Sequence, residues 1–185
     1  MNANAYNALL FFVSALAELF MWALILRIIL QLRRADFYNP FSQMVYALTR
    51  AVVDPVARLV PRYKRFDTAA FLVLLLLALV YIKLVYSLLG LKLEWVIFQY
   101  LYRKILVMTL NLYTFTLFMQ ALLSWMGPGV HNPAGNILWT INEPLLRPVR
   151  RWLPSVSGID FSPLVLIFAF QVLARLIGLP GPLNW

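Results

Sequence analysis

The sequence predicts an all-α membrane protein, with four transmembrane helices forming two parallel helix–loop–helix repeats and amphipathic helices in the cytoplasmic loops. Three observations predict it. The stretch from Asn39 to Asp67 recurs without a gap from Asn132 to Asp160, 93 positions further on. Asn39, Pro40, Pro55, Val56, Arg58, Pro61 and Asp67 reappear as Asn132, Pro133, Pro148, Val149, Arg151, Pro154 and Asp160. Self-similarity at a fixed period marks a duplicated unit, here residues 1–92 and 93–185. Next, 63% of residues are hydrophobic and 12% charged, whereas soluble domains carry about 25% charged residues. Finally, lysine and arginine gather in the two repeated loops.

Each element follows in order. Leu9–Leu32 is apolar, and Met1–Ala8 carries no Lys or Arg. A cleaved signal peptide needs a basic start and a shorter apolar run, so this segment reads as a retained span. Thr68–Leu91, Ile105–Met126 and Phe161–Leu179 are also long enough for about 30 Å of hydrocarbon at 1.5 Å per residue. Only helices leave no backbone group unpaired there. Leu93–Lys104 either extends the third span outward or lies flat, since Trp95, Tyr100 and Tyr102 suit an interface.

Within the loops, Ser42–Val53 and Gly135–Leu146 are apolar and helix-compatible, and read as short amphipathic helices on the cytoplasmic leaflet. Pro55 and Pro61, like Pro148 and Pro154, bracket a turn back to the bilayer. The loops hold Arg33, Arg34, Arg50, Arg58, Arg62, Lys64, Arg65, Arg147, Arg150 and Arg151, against Lys92, Arg103 and Lys104 on the other side. The positive-inside rule makes the loops cytoplasmic and both termini external. Two spans per repeat send both halves into the membrane in the same direction, related by an axis along the membrane normal.

Composition also narrows the function. The net charge of +9 lies beside apolar runs, which suits anionic lipid headgroups and not nucleic acid, whose footprint is a basic face on a soluble domain. No cysteine is present, which removes thiol catalysis and thiolate metal sites. His131, the one histidine, sits in a loop beside Gly129 and Asn132 and reads as a solvated turn residue. Phosphate-loop, zinc-helix and nucleophile-elbow motifs are absent. The expectation is a non-enzyme with no cofactor and no metal, partnered by lipid and by a second copy or another membrane protein.

Polar residues inside the spans carry the sharper signal, because charge in hydrocarbon is costly and marks function by default. Glu18, Lys83, Asn111 and Arg175 all fall roughly 21–22 Å from the loop ends of their spans at 1.5 Å per residue. One reading is an ion, proton or ligand site. The other is a packing pair of Glu18 with Lys83 or Arg175, with Asn111 nearby. Arg27, close to the end of its span, is expected to snorkel. Asp67 and Asp160 each precede an apolar helix and should cap it. Arg58 and Arg151, nine positions before those aspartates, either clamp them or meet lipid phosphate.

These features resemble the YggT family of small integral membrane proteins built from two YggT repeats. The resemblance rests on Arg27-Ile28-Ile29-Leu30-Gln31, Asp36-Phe37-Tyr38-Asn39-Pro40-Phe41-Ser42-Gln43, Pro144-Leu145-Leu146-Arg147-Pro148-Val149-Arg150-Arg151 with Leu153-Pro154, and Gly158-Ile159-Asp160-Phe161-Ser162-Pro163. The first repeat departs from it, reading Asp67-Thr68-Ala69-Ala70 without Phe-Ser-Pro. The resemblance implies a bacterial cytoplasmic-membrane protein linked to hyperosmotic tolerance and cation homeostasis. Plastid relatives are associated with membrane-complex assembly, and Gram-positive ones with cell division. The family offers no catalytic residue to carry over. Two expectations follow: a channel-like element or transporter modulator, and an assembly or scaffold factor acting through its loops.

Overall fold

A computed structural model describes residues 3–61, 63–88, 90, 96–125, 133–153 and 160–179. Asn132 and Pro154 of the repeated motif lie outside these. The described residues form six helices: α1 (Ala3–Leu32), α2 (Pro40–Ala57), α3 (Thr68–Leu88), α4 (Ile97–Trp125), α5 (Pro133–Trp152) and α6 (Ser162–Ile177). Three are long and apolar enough to cross a membrane, over Asn7–Leu32, Thr68–Leu88 and Ile97–Ser124. The fourth expected span is shorter. α6 has 16 residues, or about 24 Å at the α-helical rise, against about 30 Å of hydrocarbon.

The outward faces fit an apolar solvent. Leu9, Phe11, Phe12, Leu16 and Leu19 on α1 are exposed, as are Leu76 and Val80 on α3 and Phe168, Val172 and Leu176 on α6. α3 buries Ala70, Leu74, Ala78, Ile82 and Tyr86, a stripe four residues apart along one face. Its alanines let α3 approach α1 closely, as small residues do in membrane helix pairs. α1, α2 and α3 pack on one another, as do α4, α5 and α6, and the two groups meet through α3–α4, α1–α4 and α2–α5.

The chain leaves α1 by a Schellman motif: Ala35 N–H donates to Leu30 O (2.9 Å) and Arg34 N–H to Gln31 O (3.2 Å). Arg34 takes the left-handed conformation (φ 53°) usually given to glycine at this position. Asn39 then starts α2, its Oδ1 accepting from Phe41 N–H at 3.0 Å, with Pro40 at the first helical position, where a missing N–H costs nothing. Pro133 is likewise the first residue of α5.

Both loop helices run past the first proline of the pair expected to bracket a turn, Pro55 in α2 and Pro148 in α5. α2 continues through Pro55 to Ala57, and α5 through Pro144 and Pro148 to Trp152. These prolines lie on exposed faces, so the bond each removes is not lost inside the bundle. Of the segment Leu93–Lys104, Ile97–Lys104 is helix and extends α4, while Leu93–Trp95 lie outside the described residues.

Asn39 also donates through Nδ2 to Pro133 O (2.7 Å), joining the two repeats at equivalent helix starts. Asn39→Ala removes cap and link together, and should lower stability by about 1–2 kcal/mol in reversible micellar unfolding. Asn39→Asp, which keeps the cap, should lose less. Equal losses for the two variants would show that the cap contributes nothing, and no loss in Asn39→Asp would show the same of the link.

Candidate functional site

Among the described residues, three polar clusters lie within or beside the helical bundle. The first is centred on Arg27, which α1 turns inward. Its Nε donates to Asp67 Oδ2 at 2.9 Å and its NH1 to Thr49 Oγ1 at 3.0 Å. Asp54 lies 3.9 Å from NH2, and the Tyr46 ring centroid 4.8 Å from the guanidinium carbon. Arg27 and Asp67 are 2% and 1% exposed, so Arg27 does not snorkel. The carboxylate it needs is fixed inside, because Asp67 Oδ1 accepts from Ala70 N–H (3.1 Å) and caps α3. The expected cap is present, but its arginine is Arg27. Arg58 stands just beyond α2, exposed.

The second cluster occupies the equivalent positions of the other repeat, with different chemistry. Gln120 and Asn142 stand 93 residues after Arg27 and Thr49. Asn142 donates through Nδ2 to Gln120 Oε1 (2.9 Å) and accepts through Oδ1 from the Thr116 hydroxyl (2.9 Å). Asp160, equivalent to Asp67, accepts from Ser162 N–H (2.9 Å) and from Arg150 Nε (2.8 Å). Arg150 also donates through NH1 to Glu143 Oε2 (2.6 Å). Arg150 therefore takes the place expected of Arg151. It lies seven residues from Glu143, two turns along one face, whereas Arg151 is turned about 100° away and exposed.

Burial opposes ionisation of Asp160, but hydrogen bonds from Ser162 and Arg150 and the charge of Arg150 outweigh it and hold its pKa below the ordinary aspartate value. Burial likewise opposes the charge on Arg150, and hydrogen bonding and attraction from Asp160 and Glu143 reverse this.

The third cluster lies in the apolar zone. Glu18 does not meet Lys83 or Arg175, whose side chains are exposed. Its partner is Lys104, whose Nζ donates to Glu18 Oε1 at 2.5 Å. The Tyr81 hydroxyl donates to the same oxygen (3.2 Å), and the ammonium lies 5.0 Å from the Tyr81 ring centroid. Lys104 is 2% exposed. Counted from a helix beginning at Ile105, it had belonged to the outer side. With α4 beginning at Ile97 it stands two turns inside, facing α1 and α3. Asn111, the repeat equivalent of Glu18, is half-buried. Among the described residues no group of three or more His, Asp or Glu is placed to hold a metal.

Arg27→Gln alone should destabilise by about 3–5 kcal/mol, because it strands a buried carboxylate. Arg27→Gln/Asp67→Asn, which removes both buried charges together, should recover most of that loss in the same unfolding assay. For Asp160, whose pKa is depressed on folding, the stabilisation is present above the unfolded value and disappears as pH falls through the folded one. Amide exchange at the α5–α6 junction should therefore accelerate on acidification below about pH 4, relative to its intrinsic pH dependence. Asp160→Asn should abolish the difference.

Comparison with known proteins gives a consistent result. The CCB3/YggT family model matches residues 6–88 and again 99–180. The chain is 36% identical over 169 residues to the uncharacterized protein YggT of Escherichia coli K12, covering 90% of this chain and 87% of that protein. It is 35% identical over 174 residues to an uncharacterized protein of Pseudomonas aeruginosa, covering 92% and 88%. A protein of Vibrio alginolyticus shares 34% over 183 residues, covering 96% and 97%. No solved structure matches significantly.

Proposed function

The chain belongs to the CCB3/YggT family, and on that premise we propose a non-enzymatic protein of the bacterial cytoplasmic membrane that supports osmotic-stress tolerance and ion homeostasis. In this reading it modulates a transporter and does not itself conduct. The observation that supports modulation over conduction lies along α1. Glu18 and Arg27, nine residues and about 13–14 Å apart on the helix, are separated by the fully buried Met21 and Leu24 and the buried Ile25, packed with Leu74 and Ala78 of α3. Each charge is closed by its own partner. Such a bundle offers an ion no polar steps from one cluster to the next.

In the proposed topology α1, α3, α4 and α6 cross as two parallel repeats, with α6 the short crossing. α2 and α5 lie on the cytoplasmic side with the basic loops, following the positive-inside rule. Placing Lys104 in the bundle as a partner of Glu18 leaves Lys92 and Arg103 as the outer basic residues, which strengthens the charge bias.

A second reading, an assembly or scaffold factor, is favoured by one observation. α2 buries Ser42, Val45, Thr49 and Val53 yet leaves Phe41, Met44, Leu48 and Val52 exposed beside them. That second apolar stripe suits a partner or the lipid surface.

The modulator reading predicts no Na+ or K+ flux above protein-free vesicles when the full chain is reconstituted in liposomes. A strain lacking the protein should grow poorly in high salt and be rescued by the wild type and by the Glu18→Lys/Lys104→Glu exchange, but less by Glu18→Gln, which removes the carboxylate facing buried Lys104. Cation flux that disappears in Glu18→Gln would overturn it and establish conduction. Salt tolerance lost in Leu48→Asp, with folding and flux unchanged, would favour the scaffold.

A further inference from the structure

An apolar cavity of about 500 Å³ lies between the repeats, walled by α1 and α4 and by the first halves of α2 and α5. Its walls are built from repeat-equivalent positions: Leu26 with Met119, Leu30 with Leu123, Met44 with Ile137. The cavity is thus a product of the duplication and belongs to neither half. Of its fifteen lining residues among those described only Thr116 is polar, and its hydroxyl is already engaged by Asn142. A polar solute would find no partner there, and an apolar cavity of this kind does not hold ordered water. The volume is within the range of small-molecule sites.

Size and charge narrow the occupant. An α-helix about 10 Å across encloses roughly 420 Å³ in each 5.4 Å turn, so a docked partner helix would place only about one turn in the cavity. A hydrocarbon chain, one methylene wide, can enter between the helices and fill it. The wall formed by Leu26 and Leu30 ends in Arg33 and Arg34, both exposed. Arg33 lies about 4.5 Å along the axis from Leu30. The Schellman turn at Arg34 leaves these two cations at the end of the apolar wall, where juxtamembrane basic residues attract anionic headgroups.

We propose that the repeats enclose a binding site for one acyl chain of an anionic phospholipid, its headgroup held near Arg33 and Arg34. The site does not depend on whether the protein conducts, modulates or scaffolds.

The test uses the full-length protein, delipidated in detergent, exposed to equimolar phosphatidylglycerol and phosphatidylcholine and examined by native mass spectrometry. A retained phospholipid, with phosphatidylglycerol favoured about tenfold, or 1.4 kcal/mol, is the expected result. Leu123→Trp, which fills the cavity, should abolish retention. Leu76→Trp, on the exposed face of α3, should leave it unchanged. Met119→Phe provides a milder filling should Leu123→Trp fail to fold by circular dichroism and gel filtration, and should reduce retention. Arg33→Gln/Arg34→Gln should keep a lipid but erase the headgroup preference. No retained lipid in the wild type, equal retention in folded filled variants, or cross-linking of Met44 positions between two copies in place of lipid would overturn the acyl-chain site. Unchanged preference in the arginine variant would overturn the headgroup assignment.

Discussion

The placement of α1, α2 and α3 depends on Asp67. One oxygen of its carboxylate closes the first turn of α3, and the other receives Arg27 from α1, while Arg27 also reaches Thr49 on α2. Three helices meet at one ion pair. Charge taken out of water is tolerable only when its remaining hydrogen-bonding capacity is used, and here both carboxylate oxygens are used. This constraint orders the surrounding apolar packing. It sets how far Arg27 lies from the end of α1, and with it the stretch of Met21, Leu24 and Ile25 left to form a dry core.

The second repeat shows what the positions require when the charge is removed. Gln120 and Asn142 bond at the sites of Arg27 and Thr49, so the link between first helix and loop helix survives with neutral groups. Asp160 still serves the start of α6, but its cation now comes from α5. The geometry of the duplicated unit is therefore more constant than its chemistry. The capping carboxylate is shared, and its partner is supplied from whichever helix can reach.

Much of this was legible in the sequence. The register of 93 marks Asp67 and Asp160 as equivalent helix starts and sets Ser42–Val53 against Gly135–Leu146 as loop helices, which begin two residues earlier than expected, at Pro40 and Pro133. What escaped was partner choice. Distance along the chain points to Arg58 and Arg151, whereas the helices turn Arg27 and Arg150 toward the carboxylates. Lys104 escaped for a different reason. A hydropathy boundary at Ile105 placed it outside, because one polar run, Tyr102 to Lys104, interrupts the apolar signal without interrupting the helix. Depth counted from segment ends then drew attention to Lys83 and Arg175, whose side chains face outward. The pairing of Arg27 with Gln120 and of Thr49 with Asn142 at the repeat offset was available in the sequence, and would have pointed inward for both.

The two clamps also differ in what can reach them. The Arg27–Asp67 side chains are 3% and 1% exposed, and those of Arg150 and Asp160 37% and 35%. Mobile ions weaken interactions between exposed charges and leave buried ones nearly untouched. A rise in ionic strength on the loop side therefore loosens the junction of α5 with α6 while the clamp of α1 on the start of α3 stays closed. The duplication has given one molecule an insulated half and a half that registers the electrolyte around it.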